Sequence, residues 1–209
     1  MKVVIIDYGA GNIFSVQQAF QRLGVEAILS SDENEIRSAS HVIFPGVGHA
    51  RTAMDNLKKS GLDKVIPTLT QPVLGICLGM QLMCGWNEEG ELNGLGIFDS
   101  RIFELKSKVQ GFDKFRIAQE NMGLPNDFQD LKFPHMGWND VQMNSKSQAF
   151  YFVHGYAAEM CEHTIGFSEY PFPFSAVLKR DNFFGAQFHP EKSGESGEEF
   201  LKEFLLQKE

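Results

Sequence analysis

The sequence has no long apolar run, no cluster of basic residues and no paired cysteines, and each absence removes a class of protein. Before Asp7, the stretch Met1-Lys2-Val3-Val4-Ile5-Ile6 offers one cation and too few apolar positions for a signal-peptide core or a membrane span. A cytoplasmic protein with no membrane partner is the expectation. Against 27 Asp and Glu there are only 19 Lys and Arg, and the formal charge of -8 repels a phosphate backbone. Nucleic acid is therefore not an expected partner. Cys77, Cys84 and Cys161 form an odd set without the CxxC spacing of a zinc or redox site. No disulfide framework, metal or cofactor is expected, and Cys84 and Cys161 read as small buried or half-buried hydrophobes.

What remains is an ordinary globular composition, 43% hydrophobic and 22% charged over 209 residues, enough to bury a core as a single domain spanning 1–209. The apolar run at 2–7 ends in Asp7-Tyr8-Gly9-Ala10-Gly11-Asn12, and an amphipathic stretch from Ile13 to Leu23 closes at Gly24. This reads as strand, glycine turn, helix. Further strands are expected at Glu26–Leu29, His41–Phe44 and Pro72–Ile76, with helices near Glu33–Ser38, Ala50–Lys59 and Leu62–Leu69. Such alternation predicts an α/β fold with a mostly parallel, mixed sheet and helices on both faces. The second half is β-rich, at Ile102–Leu105, Ala149–His154, Thr164–Ser168, Ser175–Lys179 and Phe183–Phe188, so the sheet is expected to turn antiparallel or mixed there. A helix from about Glu195 to Leu206 ends the chain, and the polar segment 107–132 reads as a surface excursion.

The sharpest chemical signal is Gly75-Ile76-Cys77-Leu78-Gly79, set between an apolar strand and the helical Met80-Gln81-Leu82-Met83. A reactive side chain on a tight strand-to-helix turn needs small neighbours two residues before and after it, and Gly75 and Gly79 are those neighbours. A helix N-terminus after Cys77 favours the thiolate, and Leu78 N–H can hold a developing oxyanion. A nucleophilic cysteine also needs a base and a group that orients the base. Phe188-His189-Pro190-Glu191 supplies both, His189 to move the proton and Glu191 to hold the imidazole. Pro45-Gly46-Val47-Gly48 follows another strand and offers the Gly46–Val47 peptide as a second oxyanion donor. Gly9-Ala10-Gly11 lacks the rest of any phosphate-loop pattern and reads as a close-packing turn.

Taken in order, PGVG at 45–48, GICLGMQLM at 75–83, PHMGWN at 134–139, YFVH at 151–154 and FHPEKS at 188–193 resemble the class I, triad-type glutamine amidotransferases. Their order and spacing, from DYGAGN at 7–12 to the last helix, are similar to the glutaminase subunits of imidazole glycerol phosphate synthases. The resemblance implies a flavodoxin-like fold and a chain that hydrolyses glutamine with Cys77, His189 and Glu191. It implies a heterodimer with a (βα)8-barrel cyclase that receives the ammonia. In that setting Gln81 and Glu89 bind the glutamine head, and His154, Gly155 and Tyr156 lie beside it. Position 155 is Gly where the family carries Ser or Thr. Asn12, Trp138, Asn139, Tyr151 and Lys192 fall in motifs that face the barrel, although Trp138 also suits a core and Glu89 also suits a solvated pair with Glu88.

Two other readings stay open on the sequence. One is a paralogous amidotransferase that supplies ammonia for an amidino sugar, kept in play by Gly155 and the unusual length between Leu105 and Pro134. The other is a non-catalytic subunit that only binds a partner, against which the intact triad argues.

Overall fold

The computed structural model describes residues 1–109 and 131–208. Most of the expected excursion at 107–132 lies outside the described residues. The first strands alternate their side chains between two cores. From β1 (Val3–Ile6), Val4 and Ile6 face one apolar cluster while Val3 and Ile5 face another, so both sides of the strand are covered.

Three helices cover the first of these faces. In α2 (Glu33–Arg37) Ile36 is the buried anchor, and in α3 (Ala50–Ser60) the buried residues Ala50, Ala53, Met54 and Leu57 recur at helical spacing. The third, α4 (Leu62–Val65), buries Leu62 and Val65. The expected helix over 62–69 stops early there, and Ile66–Thr68 continues as a single 3-10 turn around Pro67, which cannot donate to a longer α-helix. The opposite face carries α1 (Ile13–Arg22), through Val16, Ala19 and Phe20, and the last helix, which buries Phe200, Leu201, Phe204 and Leu205. Each large apolar side chain buried this way contributes about 1.5–3 kcal/mol.

Between these faces run β2 (Ala27–Ser30), β3 (His41–Phe44), β4 (Val73–Ile76) and, from the far end of the chain, β13 (Phe183–Ala186). The order β2-β1-β3-β4-β13 is parallel throughout. Beyond β13 the sheet becomes mixed, as the second half of the sequence suggests. It continues through β12 (Pro173–Arg180), β10 (Tyr156–Ala158), β7 (Phe98–Glu104), β5 (Cys84–Asn87) and β6 (Leu92–Asn93). A side branch of β11 (Thr164–Glu169), β8 (His135–Met143) and β9 (Lys146–His154) pairs antiparallel.

The parallel block has a functional consequence. Because β1, β3, β4 and β13 run the same way, the loops after them emerge at one edge, where open α/β sheets bind ligands. Those loops are Asp7 onward, Pro45-Gly46-Val47-Gly48, Cys77, and Gln187-Phe188-His189. No helix among the described residues is long and apolar enough to cross a membrane.

Candidate active site

Cys77 links β4 to α5 (Leu78–Met83) and holds φ 52 and ψ -109, a conformation that side chains rarely adopt. Such strain costs on the order of 1–3 kcal/mol and persists only where the surroundings enforce it. Here the enforcement is visible. Cys77 N–H donates to Ala186 O at 2.7 Å and Cys77 O accepts from Gln81 N–H at 3.1 Å. The flanking glycines fit the turn as their spacing suggests, since a Cβ on Gly79 would stand 1.9 Å from Phe44 O and one on Gly75 would stand 2.8 Å from Met80 N. Gly46 is wedged against the same corner, 2.5 Å from Gly79 N if it carried a Cβ.

His189 and Glu191 leave β13 and meet Cys77 from the other side. His189 Nδ1 donates to Glu191 Oε1 at 2.8 Å, with both side chains buried. That bond assigns the proton to Nδ1 and leaves Nε2 as the nitrogen for Cys77. His189 N–H donates to Tyr151 O at 2.9 Å, and Ser193 adds a staple by donating its hydroxyl to His189 O at 2.7 Å and accepting Tyr151 N–H at 2.9 Å. Burial alone favours the neutral ring, but the hydrogen bonds and negative charges of Cys77 and Glu191 outweigh it and raise His189 to about 10. Glu191 Oε2 is buried without a partner among the described residues, so the carboxylate is held for its bond to His189.

A testable pH signature follows. A folded pKa near 10 against an ordinary 6.5 means that the folded state binds the proton more tightly. The stabilisation is complete below about 6.5 and is lost as pH rises through about 10. Urea unfolding of wild type and His189→Asn should therefore show a stability gap that narrows across that window. A gap independent of pH contradicts the protonated imidazole.

Cys77 and His189 line a cavity of about 390 Å³ together with Asn12, Val47, Leu78, Gln81, Glu89 and Lys192, and Glu191 lies behind His189. That size suits a small polar ligand. His154, Gly155 and Tyr156 form its wall, with Val153 O 3.8 Å from the Cys77 sulfur. Gln81 is buried rather than an exposed helix residue, and its Nε2 donates to Tyr156 O at 2.9 Å and to Gln187 Oε1 at 3.0 Å. Its carbonyl oxygen takes no hydrogen bond among the described residues. Glu89 is not one of a solvated pair, since its Oε2 accepts Ala50 N–H at 2.7 Å at the start of α3 while Glu88 accepts Glu104 N–H.

His154 plays a different part from a free polar contact. Its Nδ1 donates to Tyr156 O at 2.8 Å and its Nε2 accepts from His135 Nδ1 at 2.9 Å, so both nitrogens are occupied. Burial, with His135 and His189 adding to it, lowers its pKa to about 3, and burial lowers His135 to about 4. The neutral pair braces the wall. Gly155 O accepts Leu105 N–H at 3.0 Å, and a Cβ at Gly155 would meet open space. Gly155→Ser should therefore leave thermal stability unchanged or slightly higher, and by adding a hydroxyl to the wall it should lower KM for the ligand. A raised KM with unchanged stability contradicts that placement.

The remaining expected residues divide. Asn12 lines the cavity, and its side chain also caps α1 by accepting Ser15 N–H at 3.4 Å. Trp138, Asn139 and Tyr151 lie outside the cavity, in the β8–β9 hairpin where Trp138 pairs with Tyr151. Trp138 is 58% exposed, which removes the core-packing alternative. Reading the sequence missed Tyr8, whose buried hydroxyl donates to Pro45 O at 2.7 Å, and Gln187, which touches the Cys77 sulfur. The spacing of Gln187 two residues before His189 was the available signal for the second.

Comparison with known proteins bears on the same residues. Residues 4–208 match the family glutamine amidotransferase class-I. The chain is 49% identical to the imidazole glycerol phosphate synthase subunit HisH of Bacteroides fragilis strain YCH46, over 98% of this chain and 99% of that one. Identity is 41% to the same-named subunit of Idiomarina loihiensis, over 98% and 97%, and 40% to that of Yersinia pseudotuberculosis serotype I, over 98% and 99%. Among solved structures, a glutamine amidotransferase superposes with a TM-score of 0.70 at 15% identity, covering 97% of this chain and 96% of that one. PurLQS from Thermotoga maritima superposes at 0.66 and 15%, covering 98% and 97%. At such identity the superpositions establish a shared fold.

Proposed function

We propose, from the premise that the chain belongs to the class I glutamine amidotransferase family, that it is the glutaminase of an imidazole glycerol phosphate synthase, acting through Cys77, His189 and Glu191. The observation that carries the assignment of roles is His189 held between Cys77 and the Glu191 carboxylate on the wall of one cavity.

The thiolate of Cys77 attacks the side-chain amide carbon of glutamine and the carbonyl electrons move onto oxygen. Leu78 N–H and the Gly46–Val47 peptide stabilise that oxyanion. His189 gives its Nε2 proton to the departing nitrogen, ammonia leaves, and a thioester remains on Cys77. Water, deprotonated by His189, then adds to the thioester and releases glutamate and the thiolate. Glu191 keeps the proton on Nδ1 throughout. In this reading Gln81 Oε1 accepts from a substrate N–H, and Glu89, His154, Gly155 and Tyr156, which line the same cavity as Gln81, close the site around the substrate head.

The partner is a (βα)8-barrel cyclase that takes the ammonia without loss to bulk water and forms imidazole glycerol phosphate and an aminoimidazole carboxamide ribonucleotide. Asn12, Trp138, Asn139, Tyr151 and Lys192 face it, and the exposed Met136 and Trp138 on one face of β8 are apolar anchors suited to a buried interface. Residues 1–209 act as one cytoplasmic domain in this complex. The test is glutamine-dependent formation of imidazole glycerol phosphate by the purified chain mixed with a cyclase of this type. Turnover with ammonium salt but none with glutamine contradicts the assignment, and transfer of ammonia only to an amidino-sugar enzyme replaces it.

A further inference from the structure

Two buried glutamines stand against the nucleophile, and the mechanism above uses only one of them. Gln187 is fully buried, one residue past the end of β13. Its backbone N–H donates to Ala176 O at 2.9 Å, which ties the main chain to β12. Its Oε1 accepts from Gln81 Nε2 at 3.0 Å, and its Nε2 reaches the Cys77 sulfur at 3.8 Å. The other Gln81 hydrogen is committed to Tyr156 O.

These contacts leave one orientation for the Gln187 amide. Turned over, it would aim an oxygen at the sulfur and an NH2 at the NH2 of Gln81, which cannot accept. Water is no substitute partner at a residue with no exposed surface.

We propose that Gln187 is a catalytic residue of the glutaminase reaction: its amide N–H donates to the Cys77 sulfur and stabilises the thiolate, while Gln81 locks the amide in the donating orientation. The inference rests on the reading of Cys77 as the nucleophile. A hydrogen bond to a charged acceptor is stronger than one to a neutral acceptor, so this donor favours the thiolate over the thiol. Its loss should change thiolate-dependent rates about tenfold to a hundredfold. The ionisable groups around Cys77 are His189 from the loop after β13, Tyr8 from the loop after β1, and, on the cavity wall, Glu89, His154, Tyr156 and Lys192. Gln187 supplies an N–H whose donation does not depend on pH.

The experiment replaces Gln187 by Met, which keeps the volume and removes the donor. Iodoacetamide alkylation of Cys77, located by peptide mapping, is followed against pH in the whole chain, beside kcat and KM for glutamine in the complex. The expected result is an alkylation midpoint about one pH unit higher and kcat at least about tenfold lower, with KM changed less than about twofold. A residue with only a structural role would lower thermal stability and leave the midpoint in place. Gln187→Asn, which keeps an amide too short to reach the sulfur, is read in the same assays if the Met variant does not fold. An unmoved midpoint in a folded variant overturns the proposal. Alkylated wild type separates this result from its premise, because glutamine hydrolysis that survives full alkylation of Cys77 removes the nucleophile whatever Gln187 does.

Discussion

Replacing Cys77 by alanine is expected to reduce glutamine hydrolysis to below a hundredth of wild type while the fold survives. The thioester requires the sulfur, and among the described residues no other thiol or hydroxyl nucleophile lines the cavity in contact with His189. The structural cost is small, because the change removes one buried atom of about methylene size, worth about 1 kcal/mol. The φ of 52 is borne equally by alanine, since both residues carry a Cβ. The complex should still run its synthase reaction with ammonium salt. His189→Asn should cost as much as loss of the sulfur, and Glu191→Gln should cost less, because a glutamine oxygen can still accept from Nδ1. In the double variant of Cys77 and His189 the losses should not multiply, as expected for groups acting as one unit. Multiplied losses, or glutaminase activity above a hundredth in Cys77→Ala, contradict the triad.

The second large effect concerns the partner. Pro45 O is held by the Tyr8 hydroxyl at 2.7 Å and Gly46 is wedged against Gly79, so the loop is clamped up to Gly46. From Val47 it is free: Val47 is 42% exposed, and Gly48 adopts φ 97 with open space around it. The Gly46–Val47 peptide sits at that boundary and can turn its N–H or its carbonyl to the cavity. Losing one oxyanion donor costs about a hundredfold to a thousandfold in rate, roughly 3–4 kcal/mol. The isolated chain is therefore expected to hydrolyse glutamine at least about a hundredfold more slowly than the complex with ligand-bound cyclase. Steady-state glutamate release from the chain, the complex, and the complex with ligand checks this. Full activity in the isolated chain removes the gating and leaves the triad in place.

The parallel half of the sheet was legible because β1, β3 and β4 are short apolar runs covered on both faces, which leaves a continuous signal. The tight turn at Cys77 was legible for a related reason, since the close approaches at Gly75 and Gly79 admit no side chain. Other elements hid. β8 holds exposed Met136 and Trp138 beside buried His135 and Val141, so apolar and polar letters do not alternate with burial. β5 follows α5 with no residue between them, and the four letters Cys84-Gly85-Trp86-Asn87 are too short a run to show a strand period. The bracing pair His135 and His154 depends on the register of β8 against β9, which local periodicity cannot supply. Gln187 was concealed as one polar letter in the apolar run Phe183–Phe188, although its burial and contacts place it against the sulfur.

The central claim is that Cys77 carries the glutamyl group, and covalent trapping reaches it most directly. A glutamine analogue bearing a diazoketone in place of the amide is incubated with the complex, and intact mass and peptide mapping are read against residual activity. The account predicts one adduct per chain, on the peptide containing Cys77, with glutaminase activity lost in proportion and ammonium-dependent synthesis retained. An adduct elsewhere, or glutamine hydrolysis that persists when Cys77 is fully modified, contradicts it.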